Sequence, residues 1–141
     1  MTTTDATTAI RRPQEGARVW LSRFLALDAA VTGANGLAYV VASGPLGELL
    51  GVGSALLFEL GIFLVLFAGA VAFLATRPAP SVKAVTAVID ANVVWAVLSI
   101  VTVLLWLDAP TTAGMLWIPM QALTVGGFAV LQFAALRRYR G

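Results

Sequence analysis

Four apolar runs, each longer than the roughly 18 residues that carry a helix across a bilayer, take up most of this 141-residue chain. The nine Lys and Arg residues all fall at the margins of these runs, and always on the same side. Arg11, Arg12, Arg18 and Arg23 lead into the first run, and Arg77 and Lys83 lie between the second and third. Arg137, Arg138 and Arg140 follow the fourth, while residues 44–53 and 108–112 carry no basic residue. Because basic loops stay on the cytoplasmic side, this bias predicts four crossings with both termini in the cytoplasm. The fold class expected is an all-α membrane protein, a four-transmembrane-helix up-down bundle of the cell (plasma) membrane.

Composition narrows the chemistry. Apolar residues make up 60% of the chain and charged ones 11%, against about 45–50% and about 25% in soluble domains. Four spans of about 20 residues leave too little chain for a soluble domain. The absence of Cys removes disulfides and thiolate chemistry, and the absence of His removes the commonest metal and haem ligand. No cofactor, metal site or catalytic residue is therefore expected. The basic residues belong at membrane margins, in contact with anionic headgroups, and do not point to nucleic acid.

Residues 1–18 form a Thr-rich, apolar-poor segment and are expected to be a disordered cytoplasmic tail. The membrane domain then covers 19–138, with spans at about 22–43, 54–75, 84–107 and 113–136. The first run follows basic residues, and Val40-Val41-Ala42 has a signal-peptidase look. Its length and its internal Asp28 and Asn35 instead predict a retained span. Glycines at 44, 47, 51 and 53 and Pro45 are expected to break the helix after span 1. Arg77-Pro78-Ala79-Pro80 predicts a tight turn, and Asp108-Ala109-Pro110 a stop after span 3. Trp20 and Tyr139 fall at the inner boundary and Trp106 and Trp117 near the outer one, as interfacial aromatics do.

Polar residues inside the spans are the informative exceptions. An acid at the centre of a span costs about 2.5–3.5 kcal/mol on insertion scales, and three occur here: Asp28, Glu59 and Asp90. Span 2 has thirteen Leu, Ile, Val or Phe residues to carry Glu59, whereas span 1 has seven to carry both Asp28 and Asn35. Span 1 is expected to depend on its neighbours. Asp28, Thr32, Asn35 and Tyr39 recur at i, i+4, i+7 and i+11, a single helical stripe. Ala29, Gly33 and Gly36 beside it permit close approach of another helix.

Asp90 and Asn92 lie two positions apart, about 200° around a helix, and face different ways. Span 4 adds Gln121 and Gln132 on one stripe, both read as packing hydrogen bonds, with Pro119 expected to kink the helix. At 1.5 Å per residue, Asp28 and Asp90 fall about 9–10 Å from the inner helix ends and Glu59 about 8 Å below the outer end. Asp28, Thr32, Asn35, Tyr39, Glu59, Asp90, Asn92 and Gln121 form the expected polar seam, contributed mainly by spans 1 and 3.

Leu27-Asp28-Ala29-Ala30-Val31-Thr32-Gly33-Ala34-Asn35-Gly36-Leu37-Ala38-Tyr39 and the terminal Leu131-Gln132-Phe133-Ala134-Ala135-Leu136-Arg137-Arg138 carry a resemblance. They are similar to segments of small four-helix integral membrane proteins of actinobacteria, uncharacterised in activity. The resemblance covers the four spans and not the Thr-rich tail. It implies the four-helix fold and transfers no functional residue.

Three functions fit this pattern. The leading expectation is an accessory or structural subunit whose seam pairs its spans with one another, with further copies or with a larger membrane complex. The alternative is a ligand-binding or proton- or cation-coupled transport bundle; one-way charge bias argues against the antiparallel dual-topology form of such a transporter. The third is an intramembrane acid–base enzyme acting on a lipid or isoprenoid, for which only the carboxyl groups speak.

Overall fold

The computed structural model describes residues 3–105 and 111–140, and within them the side chains from residue 15 onward. Five helices make it up: α1 (Thr3–Val41), α2 (Ser43–Leu50), α3 (Ser54–Ala75), α4 (Val82–Leu105) and α5 (Thr112–Arg140). All but α2 are long and apolar enough to cross a membrane. The expected all-α, four-span bundle is what the chain forms.

Its polarity runs opposite to that of a soluble protein. Leu66 and Leu116 are 70% exposed and Leu123 is 77% exposed, while Asp28 and Gln132 are fully buried. Such a surface suits lipid, where apolar side chains meet acyl tails and polar groups must find partners inside.

The helix ends follow local chemistry. The Oγ of Ser81 accepts a bond from the Ala84 N–H at 3.3 Å and caps α4, which starts two residues before the expected 84. The Oγ1 of Thr111 accepts from the Gly114 N–H at 3.1 Å and donates to the Leu49 carbonyl, tying the start of α5 to α2. α2 replaces the expected break. Pro45 sits in its first turn, where a missing N–H costs nothing, and Gly51 closes it at φ 72° with a bond to the Gly47 carbonyl. Pro119 stands inside α5 without ending it. The tail expected to be disordered over 1–18 is helix from Thr3, continuous with span 1, because extending a formed helix adds a bond per residue with no new nucleus. Trp106 and the Asp108-Ala109-Pro110 stop lie outside the described residues.

Packing is uneven around the bundle. α1 lies closely against α3, α4 against α5, and α1 joins the two pairs through α5. The α1–α3 crossing is a backbone contact. A Cβ placed on Gly61 would fall 2.8 Å from the Gly36 carbonyl oxygen and 2.8 Å from the Tyr39 Cβ. α3 and α4 meet at few points, which leaves that side of the bundle open. At the end bearing both termini, Leu21, Leu25, Val71, Leu74, Val85 and Leu136 fill the interior. At the other end Tyr39, Leu50, Leu57 and Leu64 do so, with Trp95 and Trp117 packed against them.

Candidate functional site

The polar stripe of α1 makes two separate clusters, one toward each end of the bundle. Asp28 anchors the first. Its Oδ1 accepts from the Thr32 hydroxyl at 2.9 Å, one turn along the same helix. Its Oδ2 accepts from Asn92 Nδ2 of α4 at 2.8 Å and from Gln132 Nε2 of α5 at 2.7 Å. Asn92 Nδ2 also donates to Gln132 Oε1 at 3.1 Å. Asp28 and Gln132 have no exposed area and Asn92 is 4% exposed. One carboxyl group thus ties three spans, where its burial would otherwise be costly.

Tyr39 anchors the second cluster, toward the α2 end. Its hydroxyl accepts from Trp117 Nε1 at 2.8 Å and from Gln121 Nε2, both on α5. The ring is 5% exposed, so these two bonds fasten α1 to α5 a second time. Among the described residues Ser22 Oγ is the one buried side-chain polar atom without a partner.

Between the clusters lies a cleft of about 800 Å³. All four spans line it. Phe63 and Phe67 come from α3, Trp95 from α4, and Trp117 and Phe128 from α5, with Ala34 and Ala38 of α1 along one wall. Phe63 and Trp95 stack at 6.1 Å between centroids and 8° between planes, bridging the sparse α3–α4 side. The polar groups on the wall are side chains of Thr32, Asn35, Asn92, Gln121 and Thr124. Thr124 donates its hydroxyl to the Met120 carbonyl of its own helix. A smaller cavity of about 280 Å³, bounded by Tyr39, Leu57 and Ser99, shares Trp95 and Trp117 with it.

The expected seam is therefore divided. Asp28, Thr32 and Asn92 come together, Tyr39 and Gln121 come together, and Asn35 stands in the cleft wall with no hydrogen bond among the described residues. Glu59 and Asp90 do not join. Both are exposed on the bundle's outer surface, Glu59 beside Phe58 and Ile62, and Asp90 on the face of α4 that carries Lys83 and Thr86. Span 2 is apolar all around apart from Glu59, and Asp90 and Asn92 lie on different faces of span 3, so neither pattern marks which face turns inward. Span 4 contributes more than expected through Gln132. Its i+11 spacing from Gln121 was the available signal, since both lie on one stripe.

Among the described residues, no three Asp or Glu side chains gather where a metal ion could sit. None of the three intramembrane carboxyl groups lines the cleft. What the wall offers is amide chemistry set in apolar surface. No protein family, curated protein or solved structure matches the chain.

Proposed function

We propose that this multi-pass protein resides in the plasma membrane with both termini in the cytoplasm and binds a small hydrophobic ligand inside the bilayer. The orientation rests on the nine basic residues gathered at one end. Arg23 lies over Trp20 at 5.3 Å, Arg77 over Phe73 at 5.0 Å and Arg137 over Phe133 at 5.8 Å at that same end, as aromatic–cation pairs of a headgroup region do.

The binding reading rests on the cleft. Its volume falls within the about 300–1,000 Å³ of ligand sites, and its wall combines apolar rings with a few amides, the usual composition of such sites. The open α3–α4 side lets a ligand enter from the lipid without crossing the membrane surface. The test is filling the wall with Ala38→Trp. The wild-type chain, purified in mild detergent and measured by native mass spectrometry, should carry a bound apolar molecule. The variant, with unchanged helix content by circular dichroism, should lose it. Equal complements in both would refute the reading.

One observation favours a second reading, that of an accessory subunit. Glu59 is exposed on a lipid-suited surface, about 8 Å along α3 from its start. A carboxyl group there gains from a partner's hydrogen-bond donor. Glu59→Gln should then weaken co-purification of another membrane protein, and a monodisperse monomer with no companion would argue against this role.

A further inference from the structure

Within the buried cluster, Asn92 has an acceptor left over. Both of its N–H bonds are committed, one to Asp28 Oδ2 and one to Gln132 Oε1. Gln132 cannot turn its own amide around, because its Nε2 donates to Asp28. Asn92 cannot turn either, since that would place its carbonyl oxygen against two acceptor oxygens. Its Oδ1 accepts no hydrogen bond among the described residues. The side chain is 4% exposed and belongs to the cleft wall. Its carbonyl oxygen thus keeps an open acceptor position on the cleft wall, where a donor can reach it.

We infer that the ligand of the cleft is a neutral long-chain alcohol whose hydroxyl donates to Asn92 Oδ1. This inference rests on the ligand-binding reading above and specifies its chemistry. The chain lies against Phe63, Phe67 and Leu98. A charged head is disfavoured because no Lys, Arg, Asp or Glu lines the cleft, and Asp28 is fully buried behind three donors. A carboxylate or ammonium group would sit there without a counter-charge in an apolar wall. Asn92 is the binding residue, and Asp28 and Gln132 are positioning residues that hold its carbonyl toward the ligand.

The test uses the full chain in detergent with Trp20→Phe and Trp106→Phe, which leaves Trp95 and Trp117 on the cleft as reporters. Titrants are brominated hexadecanol, its methyl ether, and the brominated acid and amine of equal chain length, read by fluorescence quenching. The alcohol should quench at a concentration roughly three- to tenfold below that of the ether, the range one net hydrogen bond supplies. Asn92→Ala should bring the two to parity. Gln132→Leu should narrow the difference between alcohol and ether in part. Competition by farnesol against unlabelled hexadecanol separates an isoprenoid source from a straight-chain one.

Equal quenching by alcohol and ether in the wild-type cleft overturns the inference, as does preference for the acid or the amine. That comparison needs no variant, so it stands even where Asn92→Ala fails to fold. No quenching by any probe refutes the cleft-binding reading itself.

Discussion

Alanine at Gly36 and alanine at Gly69 should move stability in opposite directions. A Cβ on Gly36 would lie 2.9 Å from the Leu64 Cβ, 2.9 Å from the Val65 nitrogen and 3.0 Å from the Gly61 carbonyl oxygen. Carbon contacts settle near 3.5–4.0 Å, so α1 and α3 must part by about half an ångström or more at their closest crossing. A gap of that size forfeits about a quarter to a half of each dispersion contact nearby. Two of the three obstructing atoms are backbone and cannot rotate away. Overpacking of this kind costs about 1–3 kcal/mol, and the gain in helix propensity over glycine returns at most about 1 kcal/mol. With backbone among the obstacles the upper part of that range, about 2–3 kcal/mol, applies, and the net expectation for Gly36→Ala is a loss of about 1–2 kcal/mol. Gly69, on α3 itself, has nothing within 4 Å of its virtual Cβ. There only propensity acts, and Gly69→Ala should gain about 0.5–1 kcal/mol. Unfolding of the purified chain by increasing dodecyl sulfate in mild detergent, followed by far-ultraviolet circular dichroism, measures both. A Gly36→Ala protein as stable as wild type would refute the close crossing, and so would a Gly69→Ala protein damaged to the same degree.

Asp28→Ala removes the acceptor shared by Asn92 and Gln132, while Thr32 can turn to a backbone carbonyl one turn earlier. With interhelical bonds in membranes averaging about 0.6 and reaching about 1.7 kcal/mol, the loss should be about 1–3 kcal/mol in the same unfolding assay. Asp28→Asn, which keeps one acceptor, should lose less. Tyr39→Phe strips the oxygen that accepts from Trp117 and Gln121. It should cost about 1–3 kcal/mol and shift the emission of Trp117, and an unchanged spectrum would deny that contact. Since the chain has no Cys, single cysteines can report threading. Glu48→Cys and Thr112→Cys should react with an impermeant maleimide on intact cells, and Arg140→Cys only after permeabilisation; external labelling at Arg140 would reverse the proposed orientation.

The spans were legible because lipid demands long apolar runs and interior hydrogen bonds, both visible in linear sequence. Span 1 was the most readable, since its polar residues are few and fall on one stripe. Asp28, Thr32 and Tyr39 all turn inward from it. Gln132 shows where such reading stops. Periodicity placed it beside Gln121 on one face of α5, but only the α1–α5 and α4–α5 crossings decide that one Gln meets Asp28 and the other Tyr39. Glu59 and Asp90 show the converse, because a helix without a single polar stripe lets an acid face outward as readily as inward. α2 was hidden by its glycines and proline, residues that end helices in the middle yet are tolerated in a first turn or as a left-handed cap.

The bonds that satisfy Asp28 reach 64 residues ahead to Asn92 and 104 ahead to Gln132. A ribosome adding roughly 5–20 residues per second needs about 5–20 s to cover the longer distance. Until Asn92 is made the newborn first span holds its acid with Thr32 alone, and the last donor waits for the last span. Chains cut short before Gln132 leave Asp28 with two of its three donors, so the first span is fully satisfied only when the fourth is made.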